Sequence, residues 1–138
     1  MATATANEIF PWRAEYSVGI PLIDTQHRGL IKLINDLHAS MLAGKGSQAM
    51  AGILDDLIRY TESHFSYEQA MLRQSGYSGL AAHIEEHQRL TKQVTDLRQD
   101  FATSKVCMTL GVMRFLKDWL ANHILDRDMD YARELKTH

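Results

Sequence analysis

His83-Ile84-Glu85-Glu86-His87 decides how this chain folds, because it lies inside a run whose apolar residues return every three or four positions. Leu80, His83, His87, Leu90, Val94, Leu97 and Phe101 keep that step throughout, which is the seam of an amphipathic helix. Both histidines therefore take inward positions. Imidazoles four residues apart stand one turn apart on one face, where a divalent metal can take both. Polar groups in a core must be satisfied, so the rest of the chain has to supply partners or a metal.

The same period recurs on three other segments. Ile23, His27, Leu30, Ile34, Leu37 and Met41 make a stripe over a helix at about 21–42, with Pro21 suited to its first turn and Gly44-Lys45-Gly46-Ser47 ending it. A second helix, at about 48–74, carries Ile53, Leu57, Tyr60, His64, Glu68 and Met71. The turn Ser75-Gly76-Tyr77-Ser78-Gly79 leads to the third, at about 79–102. Thr103-Ser104 is the expected cap of the fourth, at about 105–134, with Met108, Val112, Phe115, Trp119 and His123 inward and Leu116 and Leu120 widening the stripe. Beyond His123 the period slips. Asp128 is five residues on, about 140° around an undistorted helix. Either the helix is distorted there, or the two residues serve different parts of an extended site.

Four helices with short loops imply an all-α, up-down-up-down four-helix bundle. Residues 1–20 read as an N-terminal arm punctuated by Pro11 and Pro21, with Trp12 and Tyr16 pinning it over the end of the bundle. At 138 residues the chain is one domain, 1–138.

The apolar fraction of 45% and charged fraction of 23% are those of an ordinary globular protein. A formal net charge of −2 with no basic run gives no electrostatic case for nucleic acid or an anionic membrane. No segment reaches the ~18 consecutive apolar residues of a membrane span, and the N-terminus lacks the pattern of a signal peptide. The single cysteine, Cys107, cannot form an internal disulfide and is expected as a free buried thiol. The expected setting is cytoplasmic.

His27, His64, Glu68, His83, His87, His123 and Asp128 thus converge on one core from all four helices. Ionised and unpaired in a dry interior, such groups would cost several kcal/mol each. Metal ligation removes that cost. They are too many for one tetrahedral zinc, and no cysteine joins them. Imidazole and carboxylate donors suit iron, manganese or zinc, as two ions if the carboxylates bridge. His38, about three turns from His27, is too distant to join and reads as structural or solvated. His138 has no partner to argue from, and Glu85 and Glu86 fall on or near the polar side of their helix.

The order His27, His64-x-x-x-Glu68, His83-x-x-x-His87, His123-x-x-x-x-Asp128 resembles the complete signature of the hemerythrin family. Asp24-Thr25-Gln26-His27 and Tyr131 also match, and the likeness spans roughly residues 12–131. The resemblance implies a non-heme di-iron site that binds O2 reversibly. His83, His87 and His123 would hold one iron, and His27 and His64 the other. Glu68 and Asp128 would bridge, together with an oxo or hydroxo group, leaving an open position on the His27/His64 iron for O2. Leu30, Phe65, Trp119 and Leu120 look like the family's apolar O2-pocket positions, which keep water out, and they also serve as core packing.

The implied role is O2 carriage, storage or delivery by a monomer rather than enzymatic catalysis, with an unidentified protein partner receiving the O2. An O2 or redox sensor, or a weak oxidase or peroxidase, would use the same irons. Two other readings compete. Ferritin-like oxidases use Glu-x-x-His pairs, which this chain lacks. A zinc metalloprotease is the remote alternative, since His83-Ile84-Glu85-Glu86-His87 fits His-x-x-Glu-His with Glu86 as general base, but it leaves the other donors unexplained.

Overall fold

The computed structural model describes residues 8–136; His138 and the first seven residues of the arm lie outside them. Four long helical rods account for most of the described chain. They are α1 (Pro21–Leu42), α2 (Ser47–Gln74), α3 (Leu80–Ala102), and a fourth made of α4 (Leu110–His123), a π-helical turn (Ile124–Asp128) and α5 (Met129–Lys136). α1 packs on α2 and α4, and α2 on α3, as the short loops require of an up-down-up-down bundle.

The wide turn settles how His123 and Asp128 relate. Both Ile124 and Met129, at its borders, keep right-handed helical backbone angles, so the rod is continuous. An i→i+5 turn admits one extra residue per turn, which brings residues five apart onto one face. His123 Nε2 consequently lies 3.1 Å from Asp128 Oδ1.

The start of the fourth rod differs from the sequence expectation. α4 begins at Leu110, and its cap is Thr109, whose hydroxyl oxygen accepts from Val112 N–H at 3.3 Å. Thr103 instead closes α3, donating its hydroxyl back to the Gln99 carbonyl at 3.1 Å, and Ser104 takes a left-handed φ of 61° that no helix start accepts. Residues 105–109 are therefore a loop. Cys107, on that loop, is exposed rather than buried. Phe115 points outward, at 40% exposure, while Met113 and Leu116 face the core. In α2 the buried positions are Leu54, Leu57, Thr61, His64, Phe65, Glu68 and Leu72, so Ile53, Tyr60 and Met71 flank the seam rather than form it.

Two apolar clusters fill the interior. Leu30, Ile34, Leu37, Leu54, Leu57, Leu90, Val94, Met113, Leu116 and Leu120 belong to the larger, and Val18, Ile23, Leu72, Tyr131 and Ala132 form the smaller. Three of the rods pass between them through a polar layer: Ile23, His27, Leu30 on α1; Phe65, Glu68, Leu72 on α2; Leu120, His123, Asp128, Tyr131 on the fourth. α3 adds His83 and His87, one turn before Leu90. The layer is sealed at both ends by hydrocarbon.

The arm is tied to α1. Asn35 pairs with both backbone groups of Phe10, accepting its N–H and donating to its carbonyl at 2.9 Å each. Asp24 accepts the Val18 N–H at 2.9 Å and the Ser17 hydroxyl at 2.5 Å. Trp12 and Tyr16 lie against each other, and the Arg28 guanidinium sits 4.5 Å over the Trp12 ring. Asp24, part of the motif that includes the first ligand candidate, thus works as an anchor.

Helices α1 and α2 approach closely where the Tyr60 phenol occupies the space beside Gly29, and a Cβ at Gly29 would overlap that ring. Gly29→Ala should force the ring out or the helices apart, at a cost of about 1–3 kcal/mol and roughly 5–10 °C in thermal midpoint. Thermal denaturation read by circular dichroism checks this, and an unchanged midpoint would show that Tyr60 moves aside freely.

Candidate metal centre

All seven candidate ligands are buried, at 2% exposure or less. Their donor atoms form two groups. One holds Glu68, His83, His87, His123 and Asp128; the other holds His27, His64, Glu68 and Asp128, with the donors of each within 4.8 Å of one another. Only the two carboxylates belong to both.

Each carboxylate divides its oxygens between the groups. Glu68 Oε1 lies 2.8 Å from His83 Nε2 and 2.9 Å from His87 Nε2, while its Oε2 lies 3.6 Å from His64 Nε2 and 3.9 Å from His27 Nε2. Asp128 Oδ1 lies 3.2 Å from His83 Nε2 and 3.1 Å from His123 Nε2, and its Oδ2 lies 3.0 Å from His27 Nε2. Two donors about 2.0–2.2 Å from one ion and at right angles to each other stand about 3 Å apart. Most of these separations match that edge.

The chemistry of the donors also fits a metal. His64 donates its Nδ1–H to Gln26 Oε1 at 2.6 Å, and His87 donates its Nδ1–H to Gln69 Oε1 at 2.8 Å. A neutral imidazole that donates from Nδ1 presents a lone pair at Nε2. In both residues that lone pair faces a carboxylate oxygen across a dry gap. Nε2 of His27, His64, His87 and His123 and both oxygens of Asp128 have no hydrogen-bond partner. Lone pairs so opposed need a cation between them.

With no metal, protons must carry that charge, and they are unevenly shared. Burial opposes a charge on His123, but Asp128 and Glu86 outweigh it and raise its pKa to about 10. His83 is raised to about 9 in the same way by Asp128 and Glu68. Burial lowers His64 to about 4 and lowers His87 as well. Glu68 and Asp128, despite complete burial and mutual repulsion, stay well below the usual carboxylate range because histidines surround them. Tyr131 donates its hydroxyl to Glu68 Oε2 at 2.8 Å, and burial together with the two carboxylates pushes the phenol far above its ordinary pKa, so it remains a donor.

The family model for the "Hemerythrin HHE cation binding domain" matches residues 18–135. The chain belongs to the hemerythrin family. A bacteriohemerythrin of Stenotrophomonas maltophilia (strain R551-3) is 34% identical over 128 residues, spanning 92% of this chain and 82% of the relative. A bacteriohemerythrin of Methylococcus capsulatus (strain ATCC 33009 / NCIMB 11132 / Bath) is 33% identical over 119 residues, 86% of this chain and 90% of its own. A wild-type hemerythrin crystal structure superposes with a TM-score of 0.83 at 31% identity, covering 92% of this chain and 98% of that one. A hemerythrin domain implies non-heme iron, and the buried histidines and carboxylates are the donors here that could hold it.

The remaining expectations fare unequally within this hemerythrin fold. Leu30, Phe65, Trp119 and Leu120 are all buried in the larger apolar cluster. Phe65 lies parallel on the His87 ring, 3.7 Å between centroids, and 5.7 Å from the His64 ring. Trp119 spends its Nε1–H on the Leu90 carbonyl at 3.1 Å. His38 is buried rather than solvated and belongs to neither donor group. Among the described residues no helix is long and apolar enough to cross a membrane.

Glu86, expected on or near the polar side, sits at the border of that face. It is partly buried, held by Arg89 through two bonds of 2.9 Å, and its Oε2 lies 3.6 Å from His123 Nδ1. His123 beside it holds its pKa down to about 2, with Arg89 adding to the effect and partial burial opposing it. Held by Arg89 and outside both donor groups, Glu86 is not placed as a metalloprotease base. The roles of Gln26, Gln69, Glu86 and Tyr131 toward the histidines and Glu68 went unread in the sequence. Gln26 and Gln69 each adjoin a ligand but serve a histidine on another helix, so only their flanking position offered a signal.

Proposed function

We propose that this protein binds O2 reversibly at a di-iron centre, as a carrier or store of O2 rather than an enzyme. His83, His87 and His123 would hold one iron and His27 and His64 the other, with Glu68 and Asp128 offering an oxygen to each. The observation that carries this reading is the division of each carboxylate's two oxygens between a three-histidine and a two-histidine group. Iron held there would supply the two-electron redox chemistry that reversible O2 binding needs.

The chain's own residues account for the asymmetry and the reversibility. His27 and His64 with two carboxylates offer one donor fewer than His83, His87 and His123 with the same two, so the His27/His64 side is the one left open to a ligand. Leu30, Phe65, Trp119 and Leu120 exclude water from the apolar side of the layer. The only polar hydrogen these four side chains own is committed to Leu90, so the wall offers no proton that would promote loss of reduced oxygen. Tyr131 and the two glutamines hold Glu68, His64 and His87 in the orientations that a metal needs. All seven donors come from one chain, so a single chain is enough to build the site.

The test is anaerobic reduction followed by admission of air, with iron counted per chain and the near-ultraviolet and visible absorption recorded. Two irons and a charge-transfer band that comes and goes with O2 are the expected result. Irons that oxidise with no reversible band would make the protein an oxidase or redox sensor, and a single zinc would overturn the reading. Leu120→Ala should speed autoxidation several-fold by admitting water, measured as the decay of the oxygenated band. An unchanged rate would return Leu120 to plain packing.

A further inference from the structure

The outward nitrogens of three of the histidines meet partners of different charge. His64 and His87 face the neutral amides of Gln26 and Gln69. Of the three, His123 faces an anion, the Glu86 carboxylate, at 3.6 Å, a charge contact longer than a hydrogen bond. The Glu86 side chain is 12% exposed, so water screens its charge little. It forms part of the wall of a groove between α3 and α4 that Arg89, Trp119 and Arg127 also line. Arg89 grips both of its oxygens from solvent, and this guanidinium is itself 57% exposed. The pair is therefore unequal: a poorly screened negative charge next to the imidazole and a better hydrated positive one behind it.

An imidazole whose N–H faces a carboxylate becomes a stronger donor, and a nearby negative charge favours the more positive state of the metal it serves. We propose that Glu86 is a positioning residue that sets the reduction potential of the iron held by His83, His87 and His123, and that Arg89 moderates it from behind. This rests on the di-iron reading above. Glu86 makes that half of the centre the easier to oxidise, and Arg89 limits the effect. It touches neither iron nor O2 and acts only through His123.

Two charge-removing changes of opposite sign test this. Glu86→Gln removes the anion and keeps the shape, whereas Arg89→Gln removes the counter-charge and leaves the anion. Neither side chain is among the buried groups that could hold a metal, so two irons per chain should remain. Midpoint potentials from an anaerobic redox titration followed by absorption should rise in Glu86→Gln and fall in Arg89→Gln. A structural brace would move both in one direction or neither. Unmoved potentials, shifts of the same sign, or loss of iron from Glu86→Gln would each overturn the proposal while a two-iron wild-type protein leaves the di-iron reading standing. A wild-type chain without two irons overturns both.

Discussion

Stripping iron from the protein should lower its thermal midpoint by about 10–20 °C, from several kcal/mol of lost stabilisation. The metal-free layer would hold five imidazoles and two carboxylates at 2% exposure or less, with several lone pairs opposed and unbonded. Protons relieve this only in part, and the relief depends on pH. His83 and His123, raised to about 9 and about 10, contribute stability that is fully present below the unfolded value of 6.5 and is lost as pH rises through those values. His64, lowered to about 4, acts oppositely: below 6.5 the unfolded chain takes up a proton that the folded chain refuses, and stability falls toward pH 4. The metal-free chain should therefore be most stable near pH 6.5 and weaken on both sides. The iron-loaded protein should lack the alkaline loss, because its histidines carry metal rather than protons. Scanning calorimetry of both forms from pH 5 to 10 reads this directly. Equal midpoints at pH 7 would mean that the layer tolerates its donors without a cation.

What the sequence revealed and what it hid divide along a physical line. The four rods were legible because apolar residues return at helical spacing, and the seven ligand candidates because a histidine or carboxylate on such a stripe is anomalous. The bend that unites His123 with Asp128 was legible only as a conflict. A five-residue step does not fit an undistorted helix, and no residue type marks a π-turn, so the backbone had to resolve it. The start of α4 was misread because Thr103-Ser104 and Thr109 are all acceptable caps, and the choice turned on Ser104 adopting a positive φ. Glu86 was hidden for another reason. Its neighbour His87 points inward, so period alone sends Glu86 outward, and only the closeness of the fourth rod shows that its carboxylate reaches His123.

Glu68→Ala should leave less than one iron per chain, a larger loss than any single histidine change produces. Glu68 is the residue on which both donor groups depend: Oε1 serves His83 and His87, Oε2 serves His27 and His64, and Tyr131 holds Oε2 in place. Truncating it removes a donor from each group and the negative charge that compensates both. His64→Ala, by contrast, empties one position of the smaller group and leaves Glu68, His83, His87, His123 and Asp128 intact, so about one iron should remain. Tyr131→Phe removes only the bond that orients Glu68, and both irons should stay, bound about tenfold more weakly. Metal analysis after desalting, with a chelator titration for Tyr131→Phe, ranks the three variants. Two irons in Glu68→Ala would sink the bridging assignment. Equal loss in Glu68→Ala and His64→Ala, with helical content unchanged, would show that the two metal positions fill only together, making the layer one cooperative unit rather than two joined half-sites.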